Sequence, residues 1–135
     1  MKSVGIAVIF LYNEEKKVLM QERGKDEEFY AGYWGCFGGH MEEGETPEQA
    51  LKRELVEELE YEVNNPILLV TSELVDGDRK ITTYNFIEKY DNAQPLVQHE
   101  GQSYGWFSIN EALQLQITDL RREALLKARD FLDKN

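Results

Sequence analysis

The run Arg53-Glu54-Leu55-Val56-Glu57-Glu58, entered through Gly38-Gly39-His40-Met41-Glu42-Glu43-Gly44-Glu45-Thr46-Pro47, decides how this chain is read. On a helix, residues three and four apart are neighbours, so Glu54, Glu57 and Glu58 share one face. Carboxylates crowded in that way repel unless positive charge sits against them. The helix therefore reads as a divalent-metal site for handling phosphates, with hard oxygen ligands suited to Mg²⁺.

The helix start is explicit. Thr46 can cap, Pro47 suits the first helical position, and Gln49 completes a capping box, which predicts a helix from about Pro47 to Leu59. Ala50, Leu51, Leu55 and Leu59 recur at three- and four-residue spacings and form its apolar face, leaving the glutamates on another side. Arg53 can pair bidentately with Glu45 and brace the loop against the helix. Gly38 and Gly39 permit close backbone approach, so that a carbonyl can turn toward a metal.

Working outward, Val4–Phe10 and Val18–Met20 read as a β-hairpin around Asn13–Lys17. Residues 24–32 read as loop, and Tyr33–Phe37 as one short aromatic strand running into the double glycine. Ile67–Leu74 and Lys80–Ile87 are strands joined by the turn Asp76-Gly77-Asp78, and Tyr104–Phe107 is a further strand. Asn110–Leu115 reads as a short helix and Asp119–Leu132 as a longer one, with Leu120, Ala124, Ala128 and Phe131 in a stripe. This order of elements predicts a single mixed α/β domain over residues 1–135.

Composition narrows the function. At 135 residues with 41% hydrophobic, the chain can bury one core. A net charge of −11, with its 15 basic residues scattered, argues against a nucleic-acid polymer and leaves a small anionic ligand held through metal ions. Cys36 is the sole cysteine, which excludes an intramolecular disulfide and a thiolate zinc site and fits a reducing, cytoplasmic setting. The apolar run Val4–Leu11 is too short to span a membrane.

The spacing Gly39-x5-Glu45-x7-Arg53-Glu54-Leu55-x-Glu57-Glu58 resembles the signature of the Nudix hydrolase family, G-x5-E-x7-R-E-U-x-E-E-x-G-U, with U aliphatic. The resemblance implies an α/β/α sandwich around a mixed β-sheet, and metal held by the equivalents of Glu54, Glu57 and Glu58 with the Gly39 carbonyl. It implies attack of a metal-activated water on a diphosphate linkage, with Mg²⁺ as the metal and Mn²⁺ as a substitute. Glu57 or Glu58 would be the principal ligand, and Glu54 a ligand or the proton acceptor. Glu100, on a late loop, is a further candidate base, and Arg23 occupies a position where the family often has a basic residue reaching substrate phosphate. The segment Gly39–Leu55 is similar to the MutT-like branch, which implies a nucleoside triphosphate, oxidised dGTP included, cleaved to monophosphate and pyrophosphate. ADP-ribose or nucleotide-sugar hydrolysis is the alternative within the family. Isopentenyl diphosphate isomerases share the fold but need a catalytic cysteine, for which Cys36 is poorly placed. A non-catalytic nucleotide-binding module is the remaining reading. Many members of the family dimerise, so a homodimer is an expectation.

Three positions depart from the signature: Glu60 replaces its glycine, Tyr61 its last aliphatic residue, and Phe37 stands where a proline often precedes the double glycine. Without the glycine, the helix is expected to continue about one turn further, toward Asn64-Asn65-Pro66. Tyr33, Trp34, Phe29 and Tyr30 can stack on a base or serve the core.

Overall fold

In the computed structural model, which describes residues 1–27, 30–99 and 103–135, the hydrophobic run near the N-terminus becomes strand β1 (Lys2–Tyr12) at the centre of a mixed sheet. Strand β2 (Val18–Glu22) follows through the predicted turn, where the Asn13 side chain accepts from the Glu15 and Lys17 amides. The predicted aromatic strand is in fact two. Strand β3 (Trp34–Gly35) pairs with β2, and after Cys36 strand β4 (Phe37–His40) pairs with β1. The chain changes partner at Cys36, an event that leaves no mark on hydrophobic patterning.

Helix α1 (Pro47–Leu59) has the predicted bounds, with both capping-box hydrogen bonds present. Strands β5 (Ile67–Asp76) and β6 (Arg79–Lys89) form the predicted antiparallel pair, and β6 runs parallel to β1 over that strand's whole length. Strand β7 (Ser103–Phe107) pairs with β2, and helices α2 (Ile109–Ala112) and α3 (Asp119–Lys134) end the chain.

The alternation of a strand sends successive side chains to opposite faces, and here both faces are covered. Ala7, Ile9 and Leu11 of β1 pack with Leu51, Leu55 and Leu59 of α1. Val8 and Phe10 pack with Ala124, Leu125, Ala128 and Leu132 of α3 and with Ala112 of α2. The result is the three-layer α/β/α arrangement. Of the stripe expected on α3, Ala124 and Ala128 are buried, while Leu120 and Phe131 are half-buried and Leu125 and Leu132 complete the contact. Among the described residues no helix is long and apolar enough to cross a membrane.

The end of α1 corrects the expectation of an extra turn. The helix stops at Leu59, and Glu60 itself takes the left-handed conformation, φ 53°, that the signature's glycine would adopt. Two features hold it there. The segment 97–99 runs past the helix end, with the Val97 and His99 amides donating to the carbonyls of Leu59 and Glu58, so the terminal acceptors are satisfied without further helix. Tyr61 is fully buried under Tyr90, its hydroxyl accepting from the Asp91 amide, and this fixes the chain's direction. A non-glycine residue in this conformation carries a strain of about 1 kcal/mol. Glu60→Gly is therefore expected to stabilise the protein by about 0.5–1 kcal/mol in urea titrations at high salt. High salt screens the exposed Glu60–His99 pair (2.6 Å) that the substitution also removes.

Candidate active site

Arg53 is the organising residue. Its Nε and Nη2 donate to the two carboxylate oxygens of Glu45 at 2.8 and 2.9 Å, the bidentate brace read from the spacing. Nη1 donates to Glu54 Oε1 at 2.9 Å, and Nη2 also reaches the His40 carbonyl at 3.0 Å. One guanidinium thus joins the end of β4, the loop and α1, a task suited to its planar fork of donors. Glu57 stands 3.7 Å from the same group.

Glu45 carries the electrostatic signature of this arrangement. Its hydrogen bonds from Arg53, and one from the Glu42 amide, hold its carboxyl down at about 2 against an ordinary 4.5. Because the folded value is the lower one, the brace contributes its full stability above about pH 4.5 and loses it as pH falls toward 2. Glu45→Gln is expected to flatten the acid side of the stability profile, measured as urea midpoints against pH, while wild type falls steeply across that interval.

The three glutamates of α1 occupy different surroundings. Glu57 projects into solvent with 59% of its side chain exposed, and Glu54 is 16% exposed. Glu54 lies against the glycine loop so closely that a Cβ on Gly39 would come within 2.7–2.8 Å of its carboxylate. Glu58 is buried and accepts from the Gly38 amide at 2.9 Å. The helix face and the loop are therefore locked together, Gly38 by Glu58 and Gly39 by Glu54. Among the described residues no three acidic, histidine or cysteine side chains converge on one point as a ready-made ion cage. The donor set nonetheless fits a hard cation, since it is built of carboxylate oxygens beside a backbone carbonyl and contains no thiolate.

The loop also forms one wall of a cavity of about 520 Å³. Gly38, Gly39 and His40 line it on that side, and Tyr33, Trp34 and Arg121 are among its other walls. This volume is typical of small-molecule sites. Arg23 lies on its lining and pairs with Glu27 at 2.7 Å. Tyr30 also lines the cavity, whereas Phe29 and Glu100 fall outside the described residues. Cys36 is buried, and burial pushes its thiol up to about 11, with Arg121 opposing the shift. A thiol so held is protonated and a poor nucleophile, which bears against an isomerase that depends on cysteine.

Sequence reasoning missed Arg121 and Asn85. Arg121, from the first turn of α3, reaches the cavity and hydrogen-bonds Asn85 Oδ1 at 2.8 Å. On a helix rich in charged residues an arginine reads as solvated surface, and an asparagine inside a strand carries no motif.

Comparison with known proteins gives the following. The NUDIX domain model matches residues 1–128. An 8-oxo-dGTP diphosphatase of Escherichia coli is 34% identical over 109 residues, covering 81% of this chain and 83% of that protein. A Nudix hydrolase of Listeria monocytogenes is 30% identical over 90% of this chain, which spans 59% of its length. The solution structure of the E. coli ORF135 protein superposes with a TM-score of 0.85 at 27% identity, covering all of this chain and 94% of that one.

Proposed function

This chain belongs to the Nudix hydrolase family, and from that premise we propose that it hydrolyses the diphosphate linkage of a nucleoside triphosphate, oxidised forms included, to a monophosphate and pyrophosphate, with Mg²⁺ as cofactor and Mn²⁺ able to replace it. One observation carries the reading: the acidic face of α1 is pinned by Arg53 against the Gly38-Gly39 loop, and that loop is a wall of a nucleotide-sized cavity. The diphosphatase named among the relatives acts, by its name, on 8-oxo-dGTP, and this chain is proposed to act in the same class.

In this proposal Glu54, Glu57 and Glu58 and the Gly39 carbonyl hold the metal. When bound, the ion lowers the pKa of water and neutralises charge on phosphoryl oxygens. Arg53 fixes Glu54 so that its carboxylate is aimed before substrate arrives, which removes reorganisation from the reaction. Glu45 holds Arg53 and keeps the loop closed on the helix. Glu54, where it is not a ligand, would take the proton from the attacking water, and Glu100 is the other candidate for that task. Arg23, on the cavity wall, meets a substrate phosphate by exchanging Glu27 for it. The partner is a small nucleotide and no nucleic-acid polymer, in keeping with the net charge of −11. The proposal extends to a cytoplasmic setting, which the single cysteine fits, and to a homodimer, which the family implies.

The test is a substrate panel with Mg²⁺: the common and oxidised nucleoside triphosphates, ADP-ribose, nucleotide sugars and dinucleoside polyphosphates. Turnover of triphosphates, lost with EDTA, is the expected outcome. Turnover of ADP-ribose or a nucleotide sugar without any triphosphate would move the protein to the other branch, and binding without turnover would make it a nucleotide-binding module.

A further inference from the structure

Taking the cavity as the nucleotide site of the proposed function, we propose that Arg121 reads the nucleobase and selects one that presents adjacent hydrogen-bond acceptors, guanine foremost, over adenine. In this chain of net charge −11, Arg23, Arg53 and Arg79 each have a carboxylate within ion-pair distance, while among the described residues Arg121, Arg122 and Arg129 have none. Of these last three, Arg121 is the one that lines the cavity. It is half-buried on the cavity wall, and among the described residues no carboxylate stands within 4.0 Å of it. Its neighbours position it without neutralising it. Nη1 donates to Asn85 Oδ1 at 2.8 Å, and the guanidinium lies 5.7 Å from the centroid of the Phe10 ring.

Asn85 is built for this one contact. It is buried, and its amide nitrogen donates to the carbonyls of Val70 and Thr83 at 3.3 and 3.4 Å, which leaves the amide oxygen turned to Arg121. Val70 pairs with Asn85 just past the register shift in β5. A guanidinium taken partly out of water, with one of its five donors spent on an amide, is costly unless a ligand supplies acceptors.

The acceptors offered by a nucleotide here are those of its base. The Gly38–His40 wall belongs to the phosphate end, beside the glutamates of α1, and the cavity's aromatic residues, Tyr33 and Trp34, supply surface for a flat ring. A guanidinium fork matches guanine O6 and N7, whereas adenine places an amino donor where O6 would be. Cytosine, with O2 next to N3, is the pyrimidine the same fork accepts. Guanine oxidised at C8 keeps O6 but carries a hydrogen on N7, so it offers the fork one acceptor in place of two, and the unoxidised base is the one this contact favours.

The experiment measures binding of dGMP, dCMP and dAMP by calorimetry in the absence of metal, to wild type, Arg121→Gln and Arg121→Lys, beside turnover of the corresponding triphosphates. Wild type is expected to bind dGMP about 10-fold or more tightly over dAMP, with dCMP between them. Arg121→Gln, whose amide suits adenine N6 and N7, is expected to erase or invert that ratio, and Arg121→Lys, which keeps charge without the fork, to reduce it. Equal affinities in wild type, or a ratio unchanged in a variant with wild-type circular dichroism and Tm, would overturn the inference. If Arg121→Gln does not fold, the wild-type ratio and Arg121→Lys decide. Triphosphate turnover with no base preference would sink this inference and leave the hydrolase standing. Base preference without turnover would do the reverse.

Discussion

Glu57→Gln is expected to lower turnover by about 10²–10⁴-fold, the scale of losing a carboxylate proposed to hold the metal that activates the reacting water, while leaving the fold intact. The separation of the two effects is what gives the variant its value. With 59% of its side chain exposed and its nearest cationic contact 3.7 Å away, Glu57 contributes little to packing. A surface substitution of this kind changes stability by only about ±0.5 kcal/mol. Glutamine preserves shape and removes charge, so a large kinetic effect at constant Tm would assign Glu57 to the chemistry. Glu54 is a poorer choice for the purpose, because its carboxylate also receives Arg53 and packs on Gly39.

The second large effect falls on stability. Gly38→Ala is expected to destabilise the protein by about 3 kcal/mol or more, combining backbone strain with overpacking. Gly38 has φ 138°, and a Cβ there would lie 2.1 Å from the Ala7 carbonyl oxygen and 2.7 Å from the Val8 Cα. Both obstacles are backbone of the central strand, and β1 pairs with β4 at this point. Nothing can yield without breaking the ladder. The adjacent glycine behaves differently. At Gly39 the obstacle is the end of the Glu54 side chain, which can swing aside, so Gly39→Ala should keep a near-native Tm while displacing a carboxylate proposed to hold metal. Thermal melts beside turnover separate the pair: Gly38→Ala loses the fold, and Gly39→Ala loses activity first.

The parts of the structure legible in the sequence are those fixed by local chemistry. Thr46, Pro47 and Gln49 define the start of α1 because capping is a contact among near neighbours, and the Arg53–Glu45 brace could be read because its partners lie only a short loop and two helical turns apart. The turn between β5 and β6 was marked by Asp76-Gly77-Asp78 in the same way. Long-range events were not legible. The break between β3 and β4 reflects a choice of partner strand, and the parallel pairing of β1 with β6 joins segments far apart in the chain. Glu60 shows how a tertiary contact overrides a local rule. Its left-handed conformation is imposed by buried Tyr61 and by the segment 97–99, neither of which the signature's missing glycine could announce. The placing of Glu54, Glu57 and Glu58 on one helix followed from the sequence, but their unequal surroundings, Glu58 buried on the Gly38 amide and Glu57 open to solvent, needed the fold.

The central claim is that this chain hydrolyses the anhydride linkage between the α- and β-phosphates of a nucleoside triphosphate, releasing the monophosphate and pyrophosphate. Phosphorus NMR of purified protein with dGTP and Mg²⁺ tests it most directly, because the products identify which anhydride linkage is cleaved. Resonances of dGMP and pyrophosphate, growing in wild type and not in Glu57→Gln, are the result predicted here. Release of dGDP and inorganic phosphate, or a triphosphate spectrum that stays unchanged across guanine, cytosine and oxidised guanine nucleotides, would contradict it.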